Sequence, residues 1–398
     1  MKGANRMKAY ILPCDKIIDP LDESARDCLI TNKPLRQLQA EVLINLGLQA
    51  VFISEVSEIS DQDEYIVFTD NLYFTKELLK EFITRAQKHN SVCTCALKAG
   101  TTTRLTAVKL QDVQIHSDHV EYRLYYFPNV MSRDLHTTVI IDPDELPFSI
   151  TMPRHMCGAN EYFVSLTEKL LVQIDHWVNL WIANVLTTLS DGARLQKSSK
   201  IKLLFLAMKA CSFNKWSILK QINKIGSNCD IHPTAYIEGS SIGDNVTIGA
   251  GAVIRNSVIG NRVNLGNGVV IEESVIGDQS TVLSGHVIYS VLYPSSFSVS
   301  GFITASFMGR ETFAGANSTM TDFRFDRKNV MVMKDGVLID SGNNFLGSCL
   351  GHGSYLGSGC VVAPGRSIPS GLHLTMDNDR VIHDLSNSPT INGFRIVS

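Results

Sequence analysis

Hydrophobic positions in the C-terminal part of the chain fall on a lattice that neither a helix nor a hairpin sheet produces. Ile231, Ile237, Ile242, Ile248, Ile254, Ile259, Leu265, Ile271, Ile276, Val282 and Ile288 follow one another at steps of five or six. Three successive steps sum to 17, and this happens three times over. An amphipathic helix needs a 3.6-residue period and a half-buried strand needs alternation. A repeat of three short segments instead predicts a solenoid: triangular coils of parallel strands, with each aliphatic stacked on its equivalent one coil away. Ile237, Ile254, Ile271 and Ile288 make one predicted column; Ile242, Ile259 and Ile276 make a second; Ile231, Ile248, Leu265 and Val282 make a third. Gly243, Gly249, Gly260, Gly266 and Gly277 follow lattice positions and are assigned to corners that need positive φ. Phe302, Met308, Ala314 and Met320 extend the lattice, and Leu350, Leu356, Val362, Ile368 and Leu374 resume it. Residues 321–345 break it, and Val330 to Ile339 around Asp335-Gly336 reads as an inserted β-hairpin.

The N-terminal 150 residues have a different rhythm. Short aliphatic runs at 9–12, 50–53 and 65–68 alternate with helical spacing at 35–46 and 75–89. This predicts an α/β sheet of mixed strand direction. Residues 161–225 are expected to be helical, with Leu170, Ile174, Trp177, Trp181, Val185 and Leu189 on one stripe. Between 194 and 224 there are Lys and Arg but no Asp or Glu. That stretch is a solvated linker face or a peripheral contact with an anionic membrane surface. The expected division is 1–150, a helical linker at 151–226, the β-helix at 227–376 with its insert at 321–345, and a cap at 377–398.

Bulk properties narrow the partners. A formal net charge of −3 gives no drive toward nucleic acid. No uncharged apolar run is long enough to span a bilayer, and nothing near the N-terminus reads as a signal peptide. The nine cysteines lack metal-type spacing, and no metal ligands are assigned. Free thiols in a cytoplasmic protein are expected.

The run Gly315-Ala316-Asn317-Ser318-Thr319-Met320-Thr321-Asp322-Phe323-Arg324-Phe325-Asp326, followed by a hairpin and a Gly-rich return, resembles a known family. The family fuses a sugar-1-phosphate nucleotidyltransferase domain to a left-handed β-helix acyltransferase of hexapeptide repeats. Nearly the whole chain fits that layout, and the left hand of the β-helix comes from the resemblance. It implies a homotrimer, acyl-CoA or acetyl-CoA as co-substrate, and a sugar or nucleotide-sugar ligand. It also implies Mg²⁺ if the N-terminal domain is active. That domain departs from the family after its first strand. Residues 12–19 hold no glycine and carry Asp15 and Asp19 where a phosphate-cradling loop is needed. The domain is therefore expected to be degenerate for nucleotidyl transfer. Lys33, in Thr31-Asn32-Lys33-Pro34-Leu35, and Asp70, after a strand, are what remains of a nucleotide site.

Acyltransferases of this kind use a histidine general base. By order along the chain, the family's His and Tyr fall on Thr304 and Phe307. By identity, His352 and Tyr355 fit better but lie after the Arg324-Phe325-Asp326 run. His286 and His373 are further candidates beside lattice residues. Asp322, Arg324, Asp326 and Lys328 are expected to hold a phosphorylated or nucleotide-linked ligand. Three functions compete: a hexapeptide acyltransferase, a catalytically inactive trimeric scaffold or regulator, and a nucleotidyltransferase with an unusual loop.

Overall fold

The computed structural model describes residues 6–60, 63–129, 136–157, 161–196 and 200–377, with 390–391 and 394–395. Residues 224–374 wind into a parallel β-helix with three flat faces. Face one runs from Lys224–Ile225 to Ser367–Ile368, face two from Asp230–Ile231 to His373–Leu374, and face three from Tyr236–Glu238 to Val361–Val362. Every neighbouring pair within a face is parallel, as in Ile237↔Ile254↔Ile271. The three sequence columns are the inward positions of the three faces, and their side chains form one continuous core.

The lattice departs from the sequence reading in one register. After Val282 two successive coils hold 16 residues each, so Val270 pairs with His286 and His286 with Phe302. The chain turns at Gly285 (φ +89°), where an added Cβ would lie 2.0 Å from the Ser300 carbonyl. The inward positions become Val287 and Ile303, both about fully buried. Ile288 and Phe302, expected inside, face outward. The role of the lattice glycines also differs from the expectation. Gly243, Gly260 and Gly277 do not have positive φ; that conformation falls two residues later, at Asn245, Arg262 and Gln279. A Cβ at Gly260 would meet the Gly277 carbonyl carbon at 2.9 Å and the Asp278 nitrogen at 2.7 Å. These glycines let one coil approach the next.

A buried serine ladder adds a second stitch. The backbone N–H of Ser257 donates to Ser240 Oγ, Ser274 to Ser257, Ser290 to Ser274, Ser306 to Ser290 and Ser348 to Ser306, at 3.0–3.1 Å. The last step spans the insert, whose strands Met331–Lys334 and Val337–Asp340 pair across Asp335-Gly336. Both turn residues have positive φ, as a tight hairpin requires.

The N-terminal lobe is a mixed sheet. Its strands are β1 (Lys8–Leu12), β2 (Gln49–Phe52), β3 (Tyr65–Thr69), β4 (Val92–Lys98), β5 (Gln114–Ile115), β6 (His119–Phe127) and β7 (His136–Ile141). The order is β7-β4-β6-β3-β1-β2, with β5 paired to β6. β1, β2 and β3 are parallel neighbours, whereas β6 runs antiparallel to both β3 and β4. Helices α1 (Leu35–Asn45) and α2 (Lys76–Ala86) bury Leu43, Leu78, Leu79 and Phe82 against this sheet.

The stretch expected to be helical from 161 contains strands first. Glu161–Leu166, rich in aromatic and β-branched residues, pairs with Leu146–Thr151, and Leu171–Gln173 pairs with Leu72–Phe74. Helix α3 begins at Trp177 and runs to Gln196. Every residue from 177 to 186 is buried, so this part of the helix is covered all round. It lies between the lobe and face one of the β-helix. There it shares a core with Ile18, Leu21, Leu29 and Ile30 of the lobe and Val275, Val291, Phe307 and Cys349 of the coils. Each such large side chain removed from water contributes about 1.5–3 kcal/mol. Of the basic segment, the side chains of 191–196 and 200–203 and all of 197–199 lie outside the described residues. The expected cap at 377–398 also lies outside them, except for Asp377 and the short pair Thr390–Ile391 and Phe394–Arg395. Among the described residues no helix is long and apolar enough to cross a membrane.

Candidate functional site

Face three carries a surface cleft of about 660 Å³ where the insert leaves the coil. Phe302, Thr304 and Thr319 line it from the face; Thr321, Asp322, Phe323, Arg324, Phe325 and Asp326 line it from the start of the insert, and Pro364 closes one side. The local fold explains this placement. Thr304 ends the outward side of its strand, and Thr321 anchors the departing chain through its hydroxyl to the Val362 carbonyl at 2.9 Å. The Asp322 carbonyl accepts from Leu346 N–H at 2.9 Å, which ties the two ends of the insert together. Phe323 stacks on Phe345 at 5.3 Å. Phe325 is 96% exposed at the rim.

The charges in the cleft differ in kind. Burial raises the Asp322 carboxyl above its ordinary range, while its own backbone N–H and the Thr304 hydroxyl pull it partly back. Asp326 is fully exposed and gripped by Arg324, whose Nε lies 2.9 Å from Oδ1. The Arg324 hydrogen bond lowers the Asp326 carboxyl to about 2. Lys328 lies just beyond, its backbone N–H donating to Asp326 Oδ1 at 3.2 Å. The cleft therefore joins a partly buried carboxyl, aromatic faces and a fixed guanidinium. A carboxylate with a raised proton affinity is a stronger base toward a hydroxyl or amine than an ordinary one. Exposed aromatic faces suit sugar rings and bases.

Sequence reasoning paired Thr304 with Phe307 and His352 with Tyr355, and the structure separates both pairs. Thr304 is in the cleft. Phe307 is fully buried on face one, with its ring 4.7 Å from Tyr293 in the core shared with the lobe. His352 faces the lobe: its Nδ1 accepts from Arg310 N–H at 2.8 Å, and its Nε2 lies 3.4 Å from Glu23 Oε2. Arg310 in turn donates to Glu23 Oε1 at 2.7 Å. Burial raises the Glu23 carboxyl, but hydrogen bonds from His352 and Arg310 outweigh that and leave it lowered. Tyr355 points outward on face two, stacked on His373 at 4.1 Å. His286 lies on face three against Phe302 at 4.9 Å.

In the N-terminal lobe, Asp70 is buried at the end of β3. Its Oδ1 accepts the Cys14 N–H at 3.0 Å, so a backbone donor of the loop after β1 already holds a carboxylate. Arg26 lies 3.9 Å from Asp70 Oδ2. Lys33 is exposed and paired with Glu41 at 2.8 Å. The turn before it docks on the coils: Asn32 Nδ2 donates to the Ile276 carbonyl at 2.9 Å. Sequence reasoning missed this junction, which also contains Tyr293, Trp181 and His176.

The family described as GMPPB C-terminal domain matches residues 205–301, less than half of the chain. The match begins within the helix Lys200–Lys209, after α3, takes in the first coils, and ends just before Phe302 and the cleft. It fits a sugar-1-phosphate nucleotidyltransferase/hexapeptide-repeat family. No curated protein matches the chain.

Proposed function

We propose that this chain, with a C-terminal region related to that of nucleotidyltransferases, is a hexapeptide-type acyltransferase acting on a sugar or nucleotide-sugar acceptor at the face-three cleft. The observation that carries this reading is Asp322, partly buried beside Thr304 where the family resemblance puts the acceptor site. Asp322 takes the proton of the attacking hydroxyl or amine. The nucleophile adds to the acyl-CoA thioester carbonyl, and the tetrahedral adduct collapses by releasing the CoA thiolate, which is then protonated. Arg324 orients a phosphate or carboxylate of the ligand, exchanging its bond to Asp326 for one to the ligand. The molecule works as a homotrimer. Face one is covered by the lobe, while faces two and three carry exposed rings such as Phe297, Tyr355 and Phe302 that a neighbouring copy would cover.

A scaffold or regulatory role is the second reading, favoured by the engagement of His352 with Arg310 and Glu23. Nucleotidyl transfer is the least supported, because Asp70 is bonded to Cys14 N–H in a loop without glycine.

Thiol release separates the first two readings. The protein is mixed with acetyl-CoA and a panel of amino-sugar and sugar-phosphate acceptors, and free CoA is followed with a thiol reagent. The expected result is acceptor-dependent release that increases as pH rises through the raised Asp322 value, because only the carboxylate is a base. Acceptor binding with no release at any pH would favour the scaffold.

A further inference from the structure

The hairpin from β5 to β6 brings together three side chains that neither the family resemblance nor the cleft involves. His116 N–H donates to the His119 carbonyl at 2.9 Å and closes the turn. The two imidazoles stack with centroids 4.4 Å apart. Glu121, two residues along β6 from His119, lies on the same side of the strand.

The hydrogen bonds around these groups fix which lone pairs are available. His119 Nδ1 lies 2.8 Å from Asp118 Oδ1. A carboxylate only accepts, so Nδ1 carries the proton and the neutral ring has a bare lone pair at Nε2. That atom faces Glu121 Oε1 at 3.5 Å, and His116 Nε2 faces Glu121 Oε2 at 3.8 Å. The His119 lone pair and the His116 Nε2 atom thus both face one carboxylate from beyond ordinary hydrogen-bond distance. One donor atom from each residue lies within 4.8 Å of the others. Zinc bonds of about 2.0–2.2 Å in tetrahedral geometry place neighbouring donors roughly 3.3 Å apart, a small closure from what is present.

Both inner groups are also held from outside. Asp118 orients His119, and Thr138 on β7 donates to Glu121 Oε1 at 2.6 Å. A carboxylate behind a histidine and a hydroxyl behind a glutamate are the supports that fix ligands around a metal ion. Glu121 also lines a polar cleft of about 570 Å³ with Asp112, Tyr125 and His136, leaving space for a water or an outside ligand.

We propose that His116, His119 and Glu121 form a binding site for a divalent transition-metal ion of the zinc class. Two imidazoles and one carboxylate suit such an ion, whereas Mg²⁺ and Ca²⁺ prefer oxygen alone. The metal joins the β5–β6 turn to the sheet, with its remaining position open toward the cleft.

The test is calorimetric titration of the full chain, stripped with chelator and free of any affinity tag, with zinc chloride. The expected result is one saturable site per chain that His119→Ala and Glu121→Gln abolish. Asp118→Asn, which leaves all three ligands in place, is expected to weaken it about 10–100-fold. Mg²⁺ should give no corresponding heat. His116 is exposed, so His116→Ala tests the site in a chain whose unchanged melting temperature shows that it folds; at least a tenfold loss of zinc affinity is expected. The proposal is overturned if no stoichiometric site is found. It is equally overturned if His116→Ala and His119→Ala bind zinc like the parent chain.

Discussion

Tyr293 shows how much of the lobe junction rests on single atoms. Its ring is fully buried, and its hydroxyl both donates to the Leu29 carbonyl at 2.9 Å and accepts from the Leu29 N–H. The two residues are 264 positions apart in sequence. Tyr293→Phe leaves the buried Leu29 N–H without a partner, while the Leu29 carbonyl keeps its bond from Asn184 Nδ2 at 3.1 Å, so it is expected to destabilise the protein by roughly 1–3 kcal/mol. Chemical unfolding of the two proteins measures this, and coincident transitions would contradict it. Contacts of this length leave no mark on local sequence pattern. Tyr293 therefore carries no signal in the sequence, and His352 reads as a candidate general base rather than as a contact to the lobe. Asp322 and Arg324 were legible because a local run carries them. The pair His119 and Glu121 was legible too, as His-x-x-His-x-Glu at a strand start, but metal spacing had been sought among the cysteines.

At the scale of elements, regular repetition determined what could be read. Each coil restates the preceding one, so three columns of aliphatics located three faces. The one-residue shortenings of two successive coils were invisible because Ile288 and Phe302 are as apolar as Val287 and Ile303. The strand Glu161–Leu166 was hidden by its polar and aromatic mixture, and pairing with Leu146–Thr151 decided its state. His176, just before α3, makes a further junction of elements. Its Nε2–H donates to the Met333 carbonyl of the inserted hairpin at 3.0 Å, and Nδ1 accepts from Val178 N–H at 3.2 Å. Burial holds the imidazole down to about 4. Because the folded value lies below the unfolded one, the contribution is complete above about pH 6.5 and is lost as pH falls toward 4. The loss at full protonation is on the order of 3 kcal/mol. Unfolding midpoints between pH 7 and 4.5 should therefore fall, and His176→Gln should flatten that fall. An equally steep profile in the variant would place the acid sensitivity elsewhere.

For the whole molecule, one lobe and one β-helix share a core and a set of long-range hydrogen bonds. Lys334 reaches the Leu110 carbonyl at 2.9 Å, Arg310 pairs with Glu23, and Trp181 Nε1 donates to the Tyr289 carbonyl at 2.6 Å. The inserted hairpin is part of this joint, whereas the start of the same insert forms the outer cleft. In the proposed function the N-terminal lobe has a supporting role and the chemistry lies at face three. The most direct test compares Asp322→Asn with Asp70→Asn in the acetyl-CoA thiol-release assay on otherwise intact protein. The account predicts at least a hundredfold loss of release for Asp322→Asn, the scale of a general base. Asp70→Asn, provided its melting temperature shows the lobe folded, should retain turnover. Loss of release in Asp70→Asn with Asp322→Asn unaffected would contradict it.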